Sequence, residues 1–300
     1  MLGHANLVAE AKIMEKATSY AIAALVIGLI IGAVIGYFAK PAQPAEETQC
    51  PECAIPVTSA CKFVTEPPEG TKVHIVLGFD ANYPPFTYVL PNGSAAGFDI
   101  DVMKWIANKY GWELELKPWD WSTIVTALEN GDLDVIASGM SIIPERASEK
   151  IWFSVPYYSY IHELVAKSDD TRTAEEILNS GGVIAVQKGS TAEEWADKLL
   201  AEGYNFQKLA LNSYVEALQA LLDGRAQALI TDSAFLEPYL KQHPDVASQV
   251  RVVTTLGAPE TYGIATRPCD IWLRTKINEA LHELMTSPEW NKLLEKWGLG

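Results

Sequence analysis

Several short stretches set polar side chains beside glycine, proline or aromatic residues, as strand ends do. Asp80-Ala-Asn-Tyr83-Pro-Pro-Phe86 puts a carboxylate and a ring at a corner stiffened by two prolines, unless it is only a turn with Tyr83 in the core. Pro118-Trp-Asp-Trp121-Ser122 offers a helix N-cap, Asp120 or Ser122, beside two indoles; one suits a core and the other a stacking platform. Ser138-Gly139-Met-Ser141 is followed by Arg146, whose planar fork matches a carboxylate bidentately or simply lies on the surface. Gln187-Lys-Gly189-Ser190-Thr191 brings glycine and two hydroxyls before a helix, an anion-binding arrangement or merely a cap. Asp232 can receive an ammonium or cap the helix after it. Together these are a carboxylate clamp, an ammonium partner and aromatic walls, the parts needed to hold a zwitterionic amino acid. No acid is left over for general acid catalysis, so binding is expected rather than chemistry.

The elements that must position these residues alternate. Strands are expected at 73–79, 113–117 and 133–138, with helices at 98–110 and 122–129. Ile100, Met103 and Ile106 share one face of the first helix, and Gly111 ends it. A second set follows: strands at 163–167, 183–187, 206–210 and 227–231, helices at 174–179, 191–201 and 214–222. Such spacing predicts parallel βαβ units. Residues 127–139 echo residues 220–232, each a helix stopped by glycine and followed by an apolar strand. Aligning Gly131 with Gly224 sets Gly139 opposite Asp232, both just past a strand's C-terminal end, where open α/β sheets bind ligands. The fold class is therefore α/β with two similar lobes and a cleft between them.

The 300 residues carry a net charge of −15, which repels phosphate backbones and argues against nucleic acid as a partner. Five histidines leave little room for a multi-histidine metal enzyme, and neither cofactor nor metal is expected. Residues 17–39 are uncharged and bracketed by Lys16 and Lys40. As a helix they span roughly 34 Å, enough to cross a bilayer. They are read as an uncleaved signal-anchor, a single transmembrane helix after a short cytoplasmic head at 1–16, although Pro-Ala-Gln-Pro-Ala beyond Lys40 could be cut. Lys12 and Lys16 favour the head inside and everything after the anchor outside. Gly28, Gly32 and Gly36 form a small-residue stripe suited to self-association or to packing on another membrane helix. Residues 40–72 hold six prolines and read as an extended tether.

Residues 73–300 resemble the extracellular solute-binding proteins of polar amino-acid ABC transporters, of the bilobal periplasmic-binding-protein superfamily. The resemblance rests on Tyr83-Pro-Pro-Phe, Gly97-Phe-Asp-Ile-Asp-Val102, Ser141 through Arg146, Phe153-Ser-Val-Pro-Tyr-Tyr158, Gly189-Ser-Thr, Thr231-Asp232, Tyr262-Gly-Ile-Ala and Trp290 with Lys296-Trp297. It implies a periplasmic-binding-protein-like fold, with lobe 1 at 73–160 and 258–300, lobe 2 at 161–257, and closure on the ligand about two hinge strands. It further implies that Arg146 and the Ser190/Thr191 turn hold an α-carboxylate. Asp232, Ser141 and the Gly139 carbonyl would hold the α-ammonium. Tyr83 and Trp121 would sandwich the side chain, and Asp80 would meet its polar tip. Gln187 stands where some relatives place Lys, and Gly139 where others place Ser. The implied partners are an L-amino acid and an ABC permease.

Asp80 attracts positive charge and Trp121 offers a π face, so arginine, lysine, histidine or glutamine is favoured over glutamate and aspartate. The alternatives are a bilobal sensor module and a cyclohexadienyl-dehydratase-like enzyme. An extracellular location permits a disulfide involving the stalk cysteines Cys50, Cys53 and Cys61, with Cys269 as a distant partner. A zinc site from Cys50, Cys53, Cys61 and another ligand is the rival.

Overall fold

The computed structural model describes residues 60–146 and 151–300. The anchor read at 17–39 with its glycine stripe, the head before it, and Cys50 and Cys53 lie outside the described residues. Among the described residues no helix is long and apolar enough to cross a membrane.

β1 (His74–Asp80) is buried along nearly its whole length, as a strand covered on both faces must be. A small antiparallel sheet follows, β2 (Asn82–Tyr83), β3 (Thr87–Val89) and β4 (Ala95–Ala96). α1 (Phe98–Tyr110) buries Ile100, Met103 and Ile106 and stops at Gly111, whose φ of 69° suits glycine. Then come β5 (Glu113–Trp119), a 3₁₀ turn capped by Asp120, α2 (Ile124–Asn130), β6 (Val135–Ile136) and β7 (Trp152–Phe153). The cap left open between Asp120 and Ser122 is Asp120, whose carboxylate accepts the Ser122 N–H at 2.9 Å.

β8 (Tyr158–Lys167) leads into a second set: α3 (Ala174–Leu178), β9 (Val183–Gln187), α4 (Thr191–Ala201), β10 (Gln207–Leu211), α5 (Tyr214–Leu222), β11 (Ala228–Asp232), α6 (Ser233–Gln242) and α7 (Pro244–Ala247). The chain returns along β12 (Val250–Tyr262) and closes with β13 (Ala265–Thr266), α8 (Ile271–Met285) and α9 (Pro288–Trp297).

Two five-stranded sheets result, ordered β5-β1-β6-β13-β7 and β10-β9-β11-β8-β12. In each, a central strand pairs in parallel with both neighbours: β1 with β5 and β6, β9 with β10 and β11. These sheets are the cores of the two lobes. β8 and β12 run antiparallel from Tyr158 opposite Tyr262 to Lys167 opposite Val250. Their register slips between Leu256 and Glu260, beside the lobe boundary expected at 160/161 and 257/258. Gly257 sits in that slip at φ +71°, where an added Cβ would run into the indole of Trp195. β12 and the last two helices fell in sequence left without an assignment.

The end of the stretch read as a tether is docked on lobe 1. Cys61 is disulfide-bonded to Cys269, 5.8 Å apart at Cα and 208 residues away in sequence. Cys61 is thereby removed from the alternative zinc set. Asp270 accepts the backbone N–H groups of Lys62 and Phe63 at 2.9 and 2.7 Å, and Phe63 packs on Trp272. Beneath them Arg267 bridges Asp134 and Asp270 at 2.9 and 2.7 Å, all three almost wholly buried, and Lys62 adds a 2.9 Å contact to Asp134. Residues 61–63 thus pack on lobe 1, ahead of the boundary expected at 73.

Candidate ligand-binding site

The C-terminal ends of β1, β9 and β11 and the loop after β6 meet between the lobes. All ten residues expected to bind ligand line one cavity there, joined by Ser138 and Tyr214. Its volume is about 10 Å³, near the minimum for a single water. The lobes must part before an amino acid can enter.

At the lobe 1 end of the cavity, Asp80 is buried and accepts at both oxygens. Oδ1 takes the Asn82 N–H at 2.9 Å, and Oδ2 takes an N–H of the Gln187 amide, from the opposite lobe, at 2.8 Å. A turn-capping role and a cleft-facing role thus coexist on one carboxylate. Burial pushes its pKa up to about 6, against the pull of those two hydrogen bonds. Ser138 accepts the Asp80 N–H at 3.0 Å and pairs with the Thr87 hydroxyl at 2.6 Å.

Asp232 likewise does two jobs. It caps α6 by accepting the Phe235 N–H at 2.7 Å, and it takes the Tyr83 hydroxyl at 3.0 Å across the cleft. Burial again dominates and raises it to about 6. The Tyr83 ring packs among Phe86, Tyr214, Phe235 and Tyr262, at centroid distances from 5.4 to 6.4 Å. It is therefore both a core tyrosine and a cavity wall. Trp121 turns its face to Arg146, whose guanidinium lies 5.6 Å from the ring centroid. Both reach across to lobe 2, where the Gly189 carbonyl accepts Arg146 Nη2 and Trp121 Nε1, each at 3.1 Å. The buried Nη1 of Arg146 has no hydrogen-bond partner, so part of its fork is uncommitted.

Gly139 sits at φ +57°, and a Cβ there would run into the Tyr83 ring. Its N–H donates to Asp99 Oδ2 at 2.7 Å, and the same oxygen takes the Tyr157 hydroxyl at 2.8 Å. Asp99 lies in the first turn of α1, inside the Gly97–Val102 motif, and burial pushes it up to about 7. Its positioning role was missed, although the motif itself was visible. Ser190 caps α4 and donates to the Gln187 carbonyl at 2.7 Å. Ser141, Tyr160 and Thr191 share a hydroxyl cluster with distances of 2.7 to 3.4 Å. Thr191 also meets His162 Nε2 at 2.9 Å, while Tyr160 donates to Glu260 at 2.5 Å. Burial, with the nearby Arg146 charge, holds His162 down to about 3, so its imidazole is neutral. His162 and Glu260 on the hinge strands gave no signal in sequence, because their strand partners, Leu256 for His162 and Tyr160 for Glu260, are too distant along the chain to be readable locally.

The cavity therefore has carboxylates from both lobes and one guanidinium, aromatic faces, and hydroxyls at a helix N-terminus. Residues 75–300 match the model of the bacterial extracellular solute-binding proteins, family 3. The chain belongs to that family. Within it, the arginine-binding extracellular protein ArtP of Bacillus subtilis is 31% identical over 248 residues, which span 83% of this chain and 95% of ArtP. Among solved structures, an ancestral arginine-binding protein bound to arginine is 37% identical, with a TM-score of 0.68, covering 75% of this chain and 98% of that protein. An ancestral arginine-binding protein bound to glutamine is also 37% identical, with a TM-score of 0.67, covering 77% and 100%. These relatives are binding proteins, and the two-lobed α/β fold is common to family and structure.

Proposed function

We propose that this protein captures a polar L-amino acid, a basic one or glutamine, between its lobes and delivers it to an ABC permease. The observation that carries the reading is opposed charge on one cleft: Arg146 with an uncommitted Nη1, and the buried carboxylates Asp80 and Asp232 from different lobes. Arg146 and the Ser190/Thr191 turn then take the α-carboxylate. Asp232, Ser141 and the Gly139 carbonyl take the α-ammonium. Asp80 and Gln187 lie at the side-chain end, Trp121 supplies a π face, and Tyr83 walls the cleft. Both the arginine-bound and the glutamine-bound relatives support this side-chain range. No step of bond chemistry is assigned, and the protein acts as a binder rather than an enzyme.

Calorimetry of the full chain against the twenty amino acids tests the proposal. A basic amino acid or glutamine should bind tightest, and glutamate or leucine winning would show that Asp80 does not select. We assign residues 17–39 as a single-pass anchor that leaves the lobes outside the cell, and Gly28, Gly32 and Gly36 as its packing stripe. Retention of the chain in washed membranes, lost on deletion of 17–39, is the expected result.

A further inference from the structure

Gln187 ends β9 in lobe 2 and is 2% exposed, yet its amide does not serve its own lobe alone. One Nε2 hydrogen goes to Asp80 Oδ2 at 2.8 Å, and the other to the Asn212 carbonyl at 3.3 Å. Two acceptors on one nitrogen orient the carboxamide, with N–H rather than carbonyl toward Asp80. Asp80 spends its other oxygen on Asn82 within its own lobe. The oxygen aimed across the cleft is thus met by a planar N–H donor of the kind a glutamine or arginine side chain carries. Other bonds also cross the cleft, among them Tyr83 to Asp232, Ser141 to Thr191, and both Arg146 and Trp121 to the Gly189 carbonyl. Only the Gln187 bond uses the carboxylate assigned to side-chain selection.

We propose that Gln187 is a built-in competitor for Asp80, a stand-in for the ligand's side-chain amide or guanidinium that latches the two lobes together. The proposal rests on the amino-acid-binding reading above. The incoming side chain must take the Oδ2 position from Gln187, so only ligands with N–H donors at that reach recover the bond lost. The latch lowers the fraction of open, competent protein and so weakens apparent affinity by the same factor. It also sharpens selection, since an apolar or acidic side chain displaces Gln187 without replacing its hydrogen bond.

The test is Gln187→Ala in the full chain, with L-arginine as the probe. Calorimetry should show about three- to tenfold tighter binding than the parent, as expected when a competing closed state is removed. Pulsed electron resonance between labels on exposed helix positions of the two lobes should show a longer mean distance without arginine. Unchanged or weaker binding by a folded variant overturns the proposal and makes Gln187 a plain ligand contact or a bystander. Gln187→Leu keeps the volume while removing both donors, and serves if the alanine variant unfolds. Should the parent bind none of the amino acids, the binding reading falls and the distance decides the latch: lengthening in the variant supports it, and no lengthening overturns it.

Discussion

Asp80 and Asp232 are both buried carboxylates, and each has one oxygen committed to its own backbone, Asp80 to Asn82 and Asp232 to Phe235. That commitment fixes the carboxylate plane and leaves its other contacts to face the cleft. Removing the carboxylate of Asp232, or the guanidinium of Arg146, leaves a ligand charge unpaired in a closed site. Asp232→Ala and Arg146→Ala should each weaken binding by about 2–3 kcal/mol in calorimetry. Asp80→Asn should weaken a basic ligand by about 1.5–3 kcal/mol, the range for a hydrogen bond to a charged group. Both aspartates are raised to about 6 by burial, and a bound cation favours their ionised forms. Binding of arginine should therefore release protons and tighten as pH rises from 5 to 7. Titrations in buffers of different ionisation enthalpy measure that release, and Asp80→Asn should reduce it.

At the scale of elements, the disulfide and the ion cluster join residue 60 onward to the start of α8. The Cys61–Cys269 bridge closes a loop of 208 residues, so its loss should cost about 2–4 kcal/mol on denaturant unfolding. Phe63 and the Asp270 contacts explain why the prolines at 67 and 68 do not make a free tether there. Arg267→Met removes the buried cation shared by Asp134 and Asp270, leaving Asp134 only the Lys62 contact at 2.9 Å. That change should destabilise by about 3–5 kcal/mol in the same assay. The βαβ units were legible because glycine stops, caps and apolar runs act within ten residues or so. Gly111 and Gly131 end helices as expected, and Ser190 and Asp232 cap α4 and α6. The strand expected at 133–138 shortens to Val135–Ile136, because its continuation turns into the site loop at Ser138 and Gly139.

Across the whole molecule, closure depends on a two-strand connection with a slipped register at Gly257 and on polar groups from facing lobes. The buried acids make its stability pH-dependent. Asp99 is raised from 3.8 to about 7 by burial, so the folded state holds a proton that the unfolded chain has already released. Its contribution to stability is full below pH 4 and is lost as pH rises to about 7. Denaturant midpoints should therefore fall less between pH 5 and 8 for Asp99→Asn than for the parent. Ligand acts on the same balance: at 100 times its Kd it should add about 2.7 kcal/mol to unfolding free energy, visible as a higher Tm.

The local sequence determined which residues stand at strand ends and helix caps. Asp80, Gln187 and Asp232 each close an apolar run, and that placement follows from short-range periodicity and turn chemistry. The internal repeat extended the reading to two lobes, and the family motifs extended it to a ligand set, all of which lines a single cavity. Only the tertiary structure decided who meets whom across the cleft: Gln187 with Asp80, Tyr83 with Asp232, Arg146 with Trp121 and the Gly189 carbonyl. It also decided the hinge pairing of Tyr160 with Glu260, the hold of Asp99 on Gly139, and the burial of Arg267 between two aspartates. The physical reason is range. Helix caps and strand alternation are set by neighbours within a few residues, whereas contacts such as Gln187–Asp80, 107 residues apart, exist only where the strand ends of two separate sheets meet across the cleft.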